Sequence, residues 1–328
     1  MKAAVYTRYG SPDVVQIADI EKPTPKDNEV LIKVHAASAN PLDWKGMSGG
    51  PYMIRKLLEL QKTKLKPLGV DVAGQVEAVG RNVTGFKPGD EIFGTCRGAF
   101  AEYACTCQSA RVMKSALVRK PDNVTFEQAA SAPVAALTAL QGLRDKGKIQ
   151  PSQKILINGA AGGVGTFAVQ IAKSFGADVT GVCSTRNQEM VRSIGADHVI
   201  DYTREDFTKS GRRYDLLFDC IGNHPLSACR GVLNPKGILV LIRAPADAHL
   251  GALLARLIGA LVLSPLLSQK LVVFLAKSSE ADLEIIGQLI STGKVSPVID
   301  RHYPLNQVPE ALHYLKEGHA AGKVVITV

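Results

Sequence analysis

Residues 154–173 read Lys154-Ile-Leu-Ile-Asn-Gly-Ala-Ala-Gly-Gly-Val-Gly-Thr-Phe-Ala-Val-Gln-Ile-Ala-Lys173. The short apolar run at the start is typical of a buried parallel strand, and apolar residues from Phe167 onward recur at the spacing of a helix. Four glycines separate the two elements, although Ala160 replaces the first glycine of the G-x-G-x-x-G pattern. A strand, a glycine turn and a helix in this order predict the opening of a dinucleotide-binding domain.

A turn of this kind binds a pyrophosphate for two physical reasons. Small residues let the backbone approach the ligand, and the helix N-terminus offers unpaired N–H groups at the positive end of the helix dipole. The alternative is a glycine turn with a purely structural role, since a glycine pattern alone is weak. We expect the pyrophosphate to contact the backbone of Ala161, Gly162, Gly163 and Val164.

The composition is that of a globular protein with one large or two medium domains. The chain has 328 residues, of which 46% are hydrophobic and 21% are charged. Its six unevenly spaced cysteines favour reduced thiols over a disulfide framework. The net charge is +9, and basic residues are spread along the chain apart from a basic cluster at Arg55, Lys56, Lys62, Lys64 and Lys66. No basic module interleaved with aromatic residues is present in the sequence, so we expect no nucleic-acid partner.

Two segments bear on the location of the protein. Met1 leads into residues typical of a strand rather than of a signal peptide, which predicts a cytoplasmic protein. Residues 250–267 are the most apolar segment, but Arg256 interrupts them, and the uncharged part that follows is shorter than the ~20 residues that span a bilayer. Peripheral membrane contact through residues 250–271 and the basic cluster stays one possible role of this segment.

The pattern of elements changes along the chain. Residues 1–124 contain short strands separated by turn residues, which is typical of a small barrel or sandwich. Residues 125–265 alternate strands with helices, which predicts a doubly wound parallel sheet. Residues 266–328 return to strands and helices in the style of the first part, and we expect them to rejoin it. The predicted fold class is α/β.

Several motifs along the chain resemble one enzyme family. They are Asn40-Pro-Leu-Asp-Trp-Lys45, Gly69-Val-Asp-Val-Ala-Gly74, Val83-Thr-Gly-Phe-Lys-Pro-Gly-Asp90, Leu137-Thr-Ala-Leu-Gln141, the glycine turn, Ser193-Ile-Gly-Ala-Asp197, Asp201-Tyr202 and Gly318-His-Ala-Ala-Gly-Lys-Val324. Together they resemble the medium-chain dehydrogenase/reductase superfamily, in its zinc-free quinone oxidoreductase and alkenal reductase branch. The resemblance covers essentially the whole chain. It implies a GroES-like β-rich catalytic domain interrupted by a Rossmann domain, a small-molecule quinone or enone substrate, and a homodimer. It also implies that residues 250–271 form a pocket wall or a dimer surface, which makes membrane contact the alternative.

The residues at the zinc positions of the family exclude zinc ligands. Zinc-bearing relatives have Cys where Asn40 stands, and Gly-His-Glu where residues 69–71 stand. A catalytic zinc needs three side-chain ligands with N, S or O atoms, which Asn40 and Val70 do not supply, and the seven histidines show no ligand spacing. We therefore expect no metal. Without a Lewis acid to polarise an alcohol or aldehyde, hydride transfer to a quinone or a conjugated double bond is the easier chemistry.

The end of the second strand of the parallel sheet predicts the cofactor. Enzymes that use NAD usually present Asp or Glu there, about 20 residues after the glycine turn. This strand instead ends in Ser184, Thr185 and Arg186, which can donate hydrogen bonds to a 2′-phosphate and pair with its charge. NADPH is therefore the expected cofactor, and a helix cap followed by a solvated arginine is the alternative.

The resemblance implies further contacts with the cofactor. Residues at strand ends are expected beside the adenosine, the ribose and the nicotinamide: Tyr202, Cys220, Ile221, Ile242 and Arg243. Others are expected to reach the cofactor from elsewhere in the chain: Lys45, Thr138 and Lys323. No general acid stands out, and the candidates for orienting or protonating a substrate are Asn40, Lys45 and Tyr52. Each of these residues also has an ordinary structural explanation.

Two kinds of function fit these observations. The first is an NADPH-dependent reductase that transfers hydride to quinones or to the activated C=C of α,β-unsaturated carbonyls. The second is a catalytically weak NADPH-binding structural or interaction protein, because a fold alone does not prove activity. Turnover of NADPH with a panel of acceptors separates them.

Overall fold

The computed structural model describes residues 1–47, 66–107, 115–242 and 268–328. The described chain divides into two compact units. The first unit contains Met1–Leu137, Lys277–Gly293 and Pro297–Val328, and the second contains Thr138–Ala276 and Lys294–Ser296. The sequence boundaries at residues 124 and 265 stay predictions. Several residues discussed from the sequence lie outside the described structure: Tyr52, Arg243, the side chains of Lys45 and of the basic cluster, and residues 250–267.

Strands and helices are numbered in chain order within the described residues. The strands are β1 (Lys2–Tyr6), β2 (Gln16–Asp19), β3 (Glu29–Ala39), β4 (Lys66–Pro67), β5 (Asp71–Val79), β6 (Glu91–Thr95), β7 (Tyr103–Cys107), β8 (Ala116–Arg119), β9 (Lys154–Asn158), β10 (Asp178–Cys183), β11 (His198–Asp201), β12 (Tyr214–Asp219), β13 (Leu233–Leu241), β14 (Lys270–Val273), β15 (Ile299–Pro304) and β16 (Lys323–Thr327). The helices are α1 (Pro41–Met47), α2 (Phe126–Ser131), α3 (Pro133–Gln141), α4 (Gly163–Ser174), α5 (Gln188–Ser193), α6 (Leu226–Gly231), α7 (Glu280–Ser291) and α8 (Val308–Glu317).

The first unit is built on a sheet of order β15-β16-β3-β5-β6-β8, to which β7 adds by pairing with β3. The central strand β3 alternates buried and exposed side chains here, since Ile32 and Val34 are buried while Lys33 is exposed. Antiparallel pairing places β16, from the end of the chain, directly beside β3. The buried side chains of these strands form the core of the unit with those of α8. A second sheet of order β2-β1-β4 completes it.

The sequence predicts a helix capped by Thr125, which Pro133 should bend or follow with a second helix. Thr125 caps α2 in a capping box with Gln128, whose side chain in turn accepts from the Thr125 N–H. Pro133 starts α3 as a new helix, because a proline inside a single helix would remove one backbone hydrogen bond. Both expectations are confirmed.

The second unit is a parallel sheet of order β11-β10-β9-β12-β13-β14. This is the doubly wound arrangement with helical crossovers that the sequence predicted, and the α/β fold class is confirmed. The sixth strand, β14, was not predicted. It contains four residues at the end of a long apolar segment, where a strand has no local signal of its own.

Among the described residues, none of the helices is both long and apolar enough to cross a membrane. Most of the apolar segment at residues 250–271 lies outside them, so its role as pocket wall, dimer surface or membrane contact stays a prediction.

Candidate functional site

The glycine turn joins β9 to α4 in the second unit. Gly159 has φ of 85°, in the left-handed region that favours glycine. A Cβ on Gly165 would lie 2.0 Å from the carbonyl oxygen of Gly159, so glycine is required for α4 to begin this close to β9. Gly162 caps the helix without a side chain, and the first turn contains no acidic residue. The N–H groups at this helix end are therefore available to an anion.

The turn lies at the point where the order of the sheet reverses. Strands β9 and β12 are neighbours, and the chain proceeds outward from them in opposite directions. Ligands of doubly wound sheets bind outside the carboxyl ends of strands at such a point. A Cβ on Gly159 would lie 2.7 Å from the side chain of Ile221, so the turns after β9 and β12 touch. Cys220, Ile221 and Ile242 follow β12 and β13 at this same edge.

A buried polar contact fixes the two strand ends, and sequence reasoning missed it. Asp219 is 1% exposed, and its Oδ1 accepts hydrogen bonds from Asn158 Nδ2 at 2.9 Å and from the N–H groups of Ile221 and Gly222 at 3.1 and 2.8 Å. Asn158 Nδ2 also donates to Asn223 Oδ1 at 2.9 Å. The signal was a polar residue ending each of two adjacent apolar strands. Together with the uncapped helix end, this rigid pair of turns fits a dinucleotide.

The predicted 2′-phosphate residues lie in the turn between β10 and α5. Ser184 precedes the short 3-10 turn Thr185–Asn187, and its Oγ accepts from Asn187 Nδ2 at 3.3 Å. Thr185 and Arg186 are exposed, as is Tyr202, which keeps 60% of its surface. The Thr185 hydroxyl donates to Asp201 Oδ2 at 2.5 Å, so its proton is committed inside the protein. Of the three residues, Ser184 and Arg186 therefore stay predicted contacts of a 2′-phosphate.

The first unit contains a buried polar cluster around Asp71, which is fully buried. Asp71 Oδ2 accepts hydrogen bonds from Ser38 Oγ at 2.8 Å and from Asn40 Nδ2 at 2.8 Å, and Oδ1 accepts from the Val134 N–H at 2.9 Å. Lys323 Nζ lies 3.3 Å from the same Oδ2. This buried polar cluster ties together the end of β3 and the starts of β5, β16 and α3. One carboxylate thus fixes elements that are far apart in the sequence.

Asn40 and Lys323, both predicted to be functional, meet within this cluster. Lys323 Nζ donates to Asn40 Oδ1 at 2.6 Å, and Asn40 and Lys323 are 3% and 2% exposed. The amide orientation of Asn40 is therefore determined, with Nδ2 toward Asp71 and Oδ1 toward the ammonium. The pairing of Lys323 with Asp71 balances the two buried charges.

Asp43 adds a second carboxyl to the buried polar cluster. Its Oδ2 accepts from the Asn40 N–H at 2.7 Å, and within the described residues its Oδ1 has no hydrogen-bond partner. Burial, helped by the nearby Asp71, raises the pKa of Asp43 to about 8 against the opposing effects of the Asn40 N–H bond and of Lys323. Asp43 is therefore a neutral acid at neutral pH.

The predicted residues thus fall into separate groups. The second unit brings together Ala161, Gly162, Gly163, Val164, Cys220, Ile221 and Ile242 at one sheet edge, with Ser184, Thr185, Arg186 and Tyr202 at the neighbouring strand ends. The first unit brings together Asn40 and Lys323. Thr138 is buried in α3. In the described part of the chain, no group of three or more His, Cys, Asp or Glu side chains is arranged to hold a metal ion.

Comparisons with known proteins agree with this arrangement. Residues 26–121 match the family described as alcohol dehydrogenase GroES-like domain, and residues 194–326 match the family described as zinc-binding dehydrogenase. A chloroplast envelope quinone oxidoreductase homolog from Arabidopsis thaliana is 33% identical, over 99% of this chain and 98% of that protein. An NADPH-dependent alkenal/one oxidoreductase from the same plant is 35% identical, over 99% and 79%. The structure of the quinone oxidoreductase from Coxiella burnetii matches with a TM-score of 0.85 at 30% identity, over 100% and 99% of the two chains.

Proposed function

Because the chain belongs to the medium-chain dehydrogenase/reductase superfamily, in its quinone and alkenal oxidoreductase branch, we propose that it uses NADPH, without zinc, to reduce quinones or the activated C=C of α,β-unsaturated carbonyls. Membership of the branch makes the protein an oxidoreductase with a nicotinamide cofactor and a small-molecule substrate. The choice of NADPH, the independence from zinc and the class of acceptor are the proposed part.

The observation that carries the proposal is the composition of the turn after β10. The turn offers the hydroxyl of Ser184 and the cation of Arg186 where an enzyme that prefers NAD presents a carboxylate, while the Thr185 hydroxyl donates to Asp201. A guanidinium and a free hydroxyl favour a dianionic phosphate over a ribose hydroxyl. The name of the alkenal/one oxidoreductase relative supports the same cofactor.

The residues at the zinc positions support a reaction without metal. Asn40 Nδ2 and Oδ1 are both engaged, with Asp71 and Lys323, and the side chain at position 70 is a valine. A zinc ion would need to displace these contacts and would find an amide in place of a thiolate. The ammonium of Lys323 supplies the positive charge in this cluster.

The chemistry then follows from positioning rather than from a strong acid. When bound, the nicotinamide supplies a hydride, and a conjugated acceptor disperses the resulting charge over its oxygen. Residues 159–165 and the turn after β12 hold the dinucleotide, and the buried polar cluster keeps the end of β3 and the start of β16 rigid. Preorganised donors of this kind contribute by holding reactants in place and by stabilising developing charge.

Following NADPH absorbance with a panel of quinones, enones and enals tests the proposal. Oxidation of NADPH by at least one conjugated acceptor, and by no simple aldehyde or ketone, is the expected result. Treatment with a chelator should leave the rate unchanged. Tight NADPH binding without oxidation by any acceptor would count against a reductase.

A second function is favoured by one observation. Asn40, a predicted substrate contact, and Lys323, a predicted cofactor contact, are buried and bonded to each other. A nucleotide-binding protein without turnover would retain such a cluster for its structural role. This alternative predicts NADPH binding with no acceptor reduced, so the same panel separates the two functions.

A further inference from the structure

The turn expected to bind the 2′-phosphate rests on the end of the neighbouring strand. Strands β10 and β11 are parallel, and Cys183 at the end of one pairs with Asp201 at the end of the other. The N–H of Tyr202 donates to the carbonyl of Cys183 at 3.1 Å. Residues 184–187 follow Cys183 directly, so the carboxylate of Asp201 lies beside their turn.

Asp201 makes hydrogen bonds in two directions. Its Oδ2 accepts from Thr185 Oγ1 at 2.5 Å and from Gln188 Nε2 at 3.1 Å, which lie in and just after the turn. Its Oδ1 accepts from the N–H and the hydroxyl of Thr203 at 3.0 and 2.8 Å. The hydroxyl oxygens of Thr185 and Thr203 lie 3.0 Å apart, which closes a ring of polar contacts. Arg204 Nε lies 3.8 Å from Oδ2.

The carboxylate of Asp201 is ionised and turned toward the protein. Its hydrogen bond with Thr185 is the largest cause that lowers its pKa, to about 2, and the bonds from Thr203 lower it further. Asp201 is only 8% exposed, and each of its oxygens already accepts two hydrogen bonds. It is therefore not placed to accept a hydrogen bond from a ribose, which is the usual role of a carboxylate near this position.

We propose that Asp201 is a positioning residue for cofactor selection: it holds the turn at residues 184–187 so that Ser184 and Arg186 face the 2′-phosphate. This role rests on the NADPH preference proposed above. Asp201 acts through the turn and does not touch the ligand. Thr185 contributes as the link between the turn and the carboxylate. The Ser184 hydroxyl accepts from Asn187, which leaves its own proton to be donated.

The variant Asp201→Asn tests this role with little change in shape. An amide nitrogen in place of Oδ2 cannot accept the bonds from Thr185 and Gln188. The full-length protein is titrated calorimetrically with 2′,5′-ADP and with 5′-AMP, which differ by the 2′-phosphate. We expect affinity for 2′,5′-ADP to fall by about tenfold, the effect of losing a hydrogen bond to a charged group, and affinity for 5′-AMP to change by less than about twofold.

Asp206→Asn is the matched control. Asp206 Oδ1 accepts from the N–H and the hydroxyl of Thr208 at 2.9 and 2.7 Å, the same arrangement that Asp201 makes with Thr203. Within the described residues, Asp206 makes no hydrogen bond to residues 184–187. It should leave the ratio of the two affinities unchanged. Thr185→Val removes the hydroxyl that donates to Asp201 and should lower affinity for 2′,5′-ADP selectively. Thr185→Ser keeps the hydroxyl and should keep the wild-type affinity.

The outcomes separate this inference from the proposed function. Equal affinity of the wild-type protein for both nucleotides would refute the NADPH preference itself. A wild-type preference that Asp201→Asn and Thr185→Val leave intact would overturn the role of Asp201 alone. Tighter binding of 2′,5′-ADP by Asp201→Asn would also overturn it, because the carboxylate would then act only by repelling the phosphate.

Discussion

Replacing Lys323 by Met should destabilise the first unit strongly while leaving its shape largely unchanged. The side chains of Lys323 and Asp71 are 2% and 0% exposed, and their charged atoms lie 3.3 Å apart. Removing one member of such a pair leaves the other charge buried, which costs about 3–5 kcal/mol. Asp71 keeps its bonds from Ser38, Asn40 and the Val134 N–H, so we expect the lower end, about 3 kcal/mol.

The single tryptophan makes this measurable in the first unit itself. Trp44 lies in α1, next to Asp43, and the chain contains no other tryptophan to dilute the signal. Urea unfolding followed by its fluorescence therefore reports the unit that contains the buried polar cluster. With a slope of about 3 kcal/mol per M, a loss of about 3 kcal/mol moves the midpoint down by about 1 M.

An exposed ion pair provides the control. Lys2 and Asp19 lie 3.4 Å apart, with side chains 59% and 76% exposed, so Lys2→Met should cost less than about 0.5 kcal/mol. The double variant Lys323→Met with Asp71→Asn should cost less than the sum of the single changes by about 1–3 kcal/mol, because no unpaired charge remains. A urea unfolding midpoint of Lys323→Met as high as that of Lys2→Met would show that the buried ion pair does not stabilise the first unit.

Three further predictions concern other parts of the molecule. Asp43→Asn should flatten the pH dependence of the free energy of unfolding that Trp44 fluorescence reports. The Asp43 carboxyl keeps its proton up to about pH 8 in the folded state but loses it near about pH 4 in the unfolded state. Its contribution to stability is therefore full at low pH and is lost as pH rises through this window. A difference between variant and wild type that does not change with pH would contradict this. Gly165→Ala should destabilise the second unit by several kcal/mol and weaken NADPH binding, since its Cβ would overlap the Gly159 carbonyl, whereas Gly231→Ala meets nothing within 4 Å and should be neutral in thermal melts. Arg186→Glu should weaken NADPH far more than NADH in fluorescence titrations, and equal effects would refute the cofactor assignment.

Much of the second unit could be read from sequence because its signals are local. Three kinds of feature are visible within a few residues of sequence. They are a glycine that must adopt positive φ, a helix without a side-chain cap at an anion site, and a run of apolar residues. The glycine turn and the parallel sheet were predicted on these grounds. The strand at Lys270–Val273 was missed because four residues carry too little periodicity.

The contacts that organise the candidate sites are not local, and sequence patterns did not reveal them. Asp71 and Lys323 meet only because β16 pairs with β3. The local sequence around either residue does not predict this ion pair. The hydroxyl of Thr185 was expected to serve a phosphate, but parallel pairing brings Asp201 within hydrogen-bond distance and takes its proton. Asn40 was read as a substrate-facing residue, and the structure shows it buried against Lys323.

The central claim is hydride transfer from NADPH to a conjugated acceptor without zinc, and isotope transfer tests it most directly. Chelator-treated protein is incubated with NADPH in which both C4 hydrogens are deuterium and with an α,β-unsaturated ketone, and the product is analysed by mass spectrometry. We predict a saturated ketone with one deuterium at the β-carbon, formed faster with NADPH than with NADH. Formation of product only after zinc is restored, or the absence of transferred deuterium, would contradict the claim.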